Sequence, residues 1–103
     1  MNGIVITYDY AGDEAEWETV VGTFVAALNT DAELGGRFRY VVSKSKSSSR
    51  RTHFGSWDSK AVLDLMQSRD YFKVFSTRLK SMAGDSLSPD AMQIVCQTAN
   101  ATA

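Results

Sequence analysis

An α+β fold with the element order β-α-β-β-α-β is what this 103-residue sequence predicts. Three observations carry it. Apolar residues alternate with period two in several separate stretches, they recur at helical spacing in the segments between, and glycines or serine-rich runs mark most of the boundaries. A chain of this length forms one domain around one core, enough to stand without disulfides.

Residues 3 to 10, GIVITYDY, set Ile4, Ile6, Tyr8 and Tyr10 on one face and Val5, Thr7 and Asp9 on the other, the pattern of a strand. Gly12 stops it. Asp13 with Glu16 forms a capping box, and Glu14 adds negative charge at the positive end of the helix that follows. Trp17, Val20, Val21, Phe24, Val25 and Leu28 then recur at helical spacing, predicting an amphipathic helix over 13–29. Gly35 and Gly36 turn the chain.

Phe38, Tyr40 and Val42 alternate with Arg39, Val41 and Ser43 in a second strand. The serine-rich run 45–49 is a hairpin tip, and 50–57 return as a third strand. Asp58 or Ser59 caps a helix whose apolar pattern slips near Ser68 to Asp70 and resumes with Tyr71, Phe72 and Phe75. Two helices meeting at a break therefore span 59–83, and Gly84 ends them. The only proline, Pro89, falls in the loop before a last strand over 91–97. Together these make the ferredoxin-like arrangement, a four-stranded antiparallel sheet with helices on one face. The single domain spans 1–98, and 99–103 are a disordered tail.

Composition narrows the function. A net charge of −1 gives no global attraction to nucleic acid or an anionic membrane. The charge is segregated, however. Residues 1–36 hold acids and no Lys or Arg, while 37–51 hold six basic residues and no acid. Such a division lets an acidic surface on one copy meet a basic one on another, or leaves two solvated faces. No apolar run reaches the length of a membrane span, and the N-terminus lacks the basic region of a signal peptide. The single Cys96 excludes an intrachain disulfide and reads as a small core residue. These features suit a reducing, cytoplasmic setting. One His and one Cys cannot form a zinc cluster, and there is no P-loop, dinucleotide fingerprint or nucleophile elbow. No cofactor is implied.

Two helices cover one face of such a sheet. The more apolar face, with Ile4, Ile6, Phe38, Tyr40, Val42, Met92 and Ile94, is assigned to them. The other face carries Val5, Thr7, Asp9, Arg39, Val41 and Val95, a mixture suited to meeting a second copy around a small polar-lined cavity. On that reading Thr7, Asp9, Arg39 and Val41 bind substrate. The facing of strand three stays open, because Phe54 points opposite to His53 and Trp57.

The stretch FGSWDSKAVLDLMQSRDYFKVF, a strand ending in Trp followed by a helix and a Ser-containing break before an aromatic residue, resembles the antibiotic-biosynthesis-monooxygenase-like proteins of the dimeric α+β barrel superfamily. The resemblance covers about residues 3–97. It implies a homodimer with two sheets packed face to face, and cofactor-free oxygenation of a small aromatic substrate in an enclosed pocket. Some members carry an Asn four residues before the Trp and use the pair at the reactive centre. Here Trp57 matches the Trp, and His53 stands at the Asn position. Where relatives have His before and after the helix break, this chain has Leu65 and Asp70, and Gly55 replaces a common acidic residue.

His53 titrates nearest neutrality and is the default general base; four residues from Trp57 on a strand, it projects from the same face about 13 Å away. A flat substrate lying between them, its phenol proton taken by His53, is the catalytic reading. The plainer one makes His53 a hydrogen-bonded residue near a hairpin and Trp57 a core plug. Arg39 and Arg51 either bind an anionic group or form salt bridges, and Asp9 pairs with Arg39 across neighbouring strands. Tyr8, Tyr10 and Tyr40 either donate to a substrate or, at apolar-phase strand positions, read as core residues with wet hydroxyls. A non-catalytic dimer holding a small apolar molecule is the competing function. An RNA-recognition module shares the element order, but RRTHFGSW fits its consensus poorly.

Overall fold

The computed structural model describes residues 1–98; the tail expected at 99–103 lies outside the described residues. Its elements are β1 (Asn2–Asp9), α1 (Glu14–Thr30), β2 (Phe38–Lys44), β3 (Arg50–Trp57), α2 (Lys60–Gln67), α3 (Asp70–Ala83), a short 3₁₀ turn (Gly84–Ser86) and β4 (Ser88–Gln93). The sheet is antiparallel throughout, in the order β2-β3-β1-β4, with the helices on one face. This is the α+β architecture the alternation predicts.

Local chemistry sets the boundaries. The Asp13 carboxylate accepts the Glu16 amide at 3.1 Å, and Ser59 Oγ accepts the Val62 amide, so α1 and α2 each start on a side-chain cap. Gly35 and Gly36 turn at positive φ, where a Cβ would be strained. The α2–α3 break comes at Arg69, whose backbone leaves the helical region. Its guanidinium spans Asp31 at 2.9 Å and Glu33 at 2.7 Å, and Tyr71 Oη donates to Asp31 at 2.6 Å, tying the break to the end of α1. These donors, Tyr71 first and Arg69 after, hold the Asp31 carboxyl below its ordinary pKa.

The core lies between the sheet and the helices. Phe24 of α1 stacks on Phe75 of α3 with ring centroids 4.1 Å apart and meets Tyr40 of β2 edge-on at 5.1 Å. The register settles the facing of β3. Gly55 lies opposite both Ile4 and Tyr40, and His53 opposite Ile6 and Val42, so His53, Gly55 and Trp57 face the helices and Phe54 faces out.

The last strand differs from expectation. It runs three residues earlier than 91, and Pro89 is inside it, opposite Ile6. A proline is tolerated there because β4 is an edge strand. The expected facing is also reversed. Ala91, opposite Ile4, faces the helices; Met92 pairs with Gly3 in the other phase and is 42% exposed. Ile94 lies past the strand, its amide bonded to the Met1 carbonyl at 2.9 Å, and Cys96 is exposed where a core residue was expected.

Candidate functional site

One cross-strand row explains where space opens. Tyr40, Gly55, Ile4 and Ala91 sit side by side on the covered face, with two small residues among them. Above the row and its neighbours is a cavity of about 740 Å³. Its sheet side includes Ile4, Ile6, Tyr40 and Trp57, its helix side includes Phe72 and Phe75, and Lys80, Gln67 and Gln93 add polar groups. Volume and lining suit an apolar molecule with rings, oriented by few polar contacts.

Gly55 shapes this wall. A Cβ there would meet Tyr40 Cδ1 at 3.2 Å and Ile4 Cγ2 at 3.4 Å, so the tyrosine ring leans over the glycine. Beneath that ring lies a buried polar chain. Trp17 Nε1 donates to Tyr8 Oη at 2.7 Å, Tyr8 Oη is 2.7 Å from His53 Nε2, and His53 Nδ1 is 2.7 Å from Tyr40 Oη. Phe75 stacks near the imidazole at 6.0 Å between centroids. His53 has no exposed surface, and burial pushes its pKa down to about 4, so it is neutral at physiological pH. Burial also raises Tyr8 and Tyr40, keeping both hydroxyls protonated.

His53 and Trp57 do share a face. Trp57 lines the cavity and stacks on Phe38 at 5.9 Å, whereas His53 is not among the lining residues. The place between them, above Gly55, holds the Tyr40 ring and not an open slot for a flat substrate. Both imidazole nitrogens are engaged, which leaves His53 no free site for a substrate proton. Thr7, Asp9, Arg39 and Val41 lie on the open face, outside the cavity lining. Arg39 pairs with Asp58 at 2.8 Å, and Asp9 with Arg50 at 3.6 Å, because β3 separates β1 from β2 and keeps Asp9 from Arg39.

The basic hairpin meets the first helix of its own chain. Arg51 grips Glu14 at 2.6 and 2.9 Å, Lys44 reaches the same carboxylate at 2.9 Å, and the Arg51 guanidinium lies 4.4 Å from the Trp17 ring centre. Those two donors pull the Glu14 pKa down to about 2. The polar chain itself was not foreseen. Tyr8 was expected to keep a wet hydroxyl, yet it is buried and bonded on both sides. Its signal was two tyrosines and the only histidine at apolar-phase strand positions, which becomes a cluster only once register is known.

Among the described residues no group of three His, Cys, Asp or Glu is arranged to hold a metal, and no helix is long and apolar enough to cross a membrane. No family model and no curated protein matches the sequence. Solved structures do match in fold. A Caulobacter crescentus protein named "putative antibiotic biosynthesis monooxygenase" aligns at 21% identity over 91% of this chain and 89% of its own, with a TM-score of 0.75. SnoaB, a cofactor-independent oxygenase from Streptomyces nogalater, solved as a variant, aligns at 16% over 96% of each chain with a TM-score of 0.74. Rv0793 from Mycobacterium tuberculosis aligns at 8% over 93% of this chain and 96% of its own, with a TM-score of 0.75. At such identities the likeness is one of fold, and the chain has the fold of the antibiotic-biosynthesis-monooxygenase-like proteins.

Proposed function

We propose that this chain is the protomer of a homodimeric, cofactor-free monooxygenase acting on a small aromatic substrate in the cavity between sheet and helices. The observation that carries the reading is the cavity itself, about 740 Å³ with Trp57, Tyr40, Phe72 and Phe75 among its walls. The fold shared with SnoaB, named a cofactor-independent oxygenase, supports it. A naphthol can itself supply the electrons that oxygen needs. One oxygen atom enters the ring, the other leaves as water with the two displaced hydrogens, and a quinone results. Trp57 would supply the flat apolar wall. Val41, 61% exposed on the open sheet face, supports a second copy packing there. The exposed lone thiol of Cys96 suits a reducing cytoplasm.

The test is oxygen uptake with a panel of naphthols and electron-rich phenols, without added flavin, haem or metal. Uptake matched by quinone formation, and strongly reduced in Trp57→Leu, is the expected result. Ligands that bind without oxygen uptake would sink the oxygenase reading. They would leave the second one, a non-catalytic binding dimer, which is favoured by a His53 that is neutral and engaged at both nitrogens.

A further inference from the structure

The buried polar chain contains more hydrogens than it uses. Trp17, Tyr8, His53 and Tyr40 are linked by three hydrogen bonds. With His53 neutral, each of these four groups carries one polar hydrogen, so one is left over. The indole N–H can only donate, which fixes the direction at the Trp17 end. If the Tyr8 hydroxyl donates to His53 Nε2, then Nδ1–H donates to Tyr40, and the spare hydrogen is on Tyr40. If the chain runs the other way from Tyr40, the spare hydrogen is on Tyr8, which is 1% exposed and has no further acceptor among its hydrogen bonds. A donor buried without an acceptor is heavily penalised, and one facing a cavity is not. Of the four residues, Tyr40 is the one that lines the cavity. The first arrangement is therefore favoured.

We infer that the Tyr40 hydroxyl, oriented by the Trp17–Tyr8–His53 relay as a donor toward the cavity, recognises an acceptor oxygen, a carbonyl or phenolate, on the bound ring compound. The inference rests on the reading above only for the cavity's being a ring-binding site. Because Tyr40 Oη already accepts from Nδ1–H, its own O–H becomes the stronger donor. His53 then acts as a positioning residue through Tyr40 and takes no substrate proton.

Two measurements test this. The chain has one histidine, so ¹⁵N NMR of untagged, labelled protein reads its tautomer without ambiguity. Protonation at Nδ1 near neutral pH is expected; an Nε2–H tautomer or an imidazolium overturns the inference. The second uses 9-fluorenone, an acceptor-only ketone, and fluorene, the same ring system without the oxygen. Bound 9-fluorenone should show its carbonyl stretch moved to lower frequency, and Tyr40→Phe should reverse that shift. The same change should weaken 9-fluorenone on the order of 3- to 10-fold and leave fluorene within about twofold. An unshifted carbonyl band, equal affinities for the two compounds in the unaltered protein, or binding of neither overturns the inference. The NMR arm needs no variant that folds. Absent oxygen uptake would leave both readouts intact, so the two readings fail separately.

Discussion

On β3, His53 has no exposed surface and hydrogen-bonds through both ring nitrogens, while Phe54, one residue on, turns to the open face, where its cross-strand partner Val41 is 61% exposed. The two faces of the sheet thus treat their side chains by different rules. Under the helices Tyr8, Trp17 and His53 are buried, and together with Tyr40 they find their hydrogen-bond partners in one another. On the open face Asp9, Arg50 and Arg39 can use solvent, and their ion pairs contribute little. Arg51 sits on the covered side of this divide, with Glu14 and the Trp17 ring as its substitutes for water. The comparison teaches that polar residues on the covered face are held in place, which is what a site needs, and that substitutions there should cost most.

The largest effect is expected where the covered face meets the helices. Phe24→Ala removes a ring stacked on Phe75 at 4.1 Å and set edge-on to Tyr40 at 5.1 Å. The loss should be about 3–5 kcal/mol by urea denaturation. A loss below about 1 kcal/mol would mean that the helices are loosely packed and that the contrast between faces is overstated.

The pH dependence of stability sharpens the same contrast. His53 titrates near 4 when folded, against an ordinary value of 6.5. The unfolded chain therefore binds the proton first, and folding is disfavoured as pH falls from 6.5 to 4. Below 4 both states are protonated and this contribution is flat. Its full size is roughly 3 kcal/mol, fully present above pH 6.5. His53→Gln should remove the slope in that window. Glu14 acts lower, between its ordinary 4.5 and about 2, so the two do not overlap much. A slope between pH 6.5 and 4 that survives in His53→Gln would assign it to other groups.

Gly55→Ala probes the point where space and polarity meet. The added Cβ would lie 3.2 Å from Tyr40 Cδ1 and 3.4 Å from Ile4 Cγ2, tighter than comfortable contact. The Tyr40 ring must lift, stretching its bond to His53. A cost of about 1–3 kcal/mol in urea denaturation is expected. An unchanged midpoint would show that Tyr40 moves freely and that the glycine does not shape the wall.

Element order was legible because it is local. The Asp13 cap, the spacing of Trp17 to Leu28 and the alternation of β1 each need only neighbours in sequence. Facing was harder wherever both phases looked apolar. Phe54 competes with His53 and Trp57 on β3, and Met92 and Ile94 suggested the wrong phase for β4. Pro89 signalled a loop because an edge strand's tolerance depends on sheet order, which single segments do not encode. The site was legible in residue type only. Tyr8, Trp17, His53 and Tyr40 meet through register and helix placement, and Gly55 seemed a departure from relatives until Tyr40 was found leaning over it.

The smallest effect on the fold is expected from Val41→Asp, and it bears most directly on the open face. With Val41 61% exposed in the protomer, a carboxylate there stays hydrated and should change protomer stability by no more than about 0.5 kcal/mol. A second copy packed on this face would change the outcome, because each copy would then bury an unpaired charge on association. Sedimentation velocity at micromolar concentration separates the cases. A dimer in the unaltered protein that becomes a monomer in Val41→Asp, with far-ultraviolet dichroism unchanged, places the second copy on the open face. A dimer that survives the substitution puts the contact elsewhere and leaves that face to solvent. A monomer in both would remove the homodimer, while the cavity, built within one chain, would stand on its own.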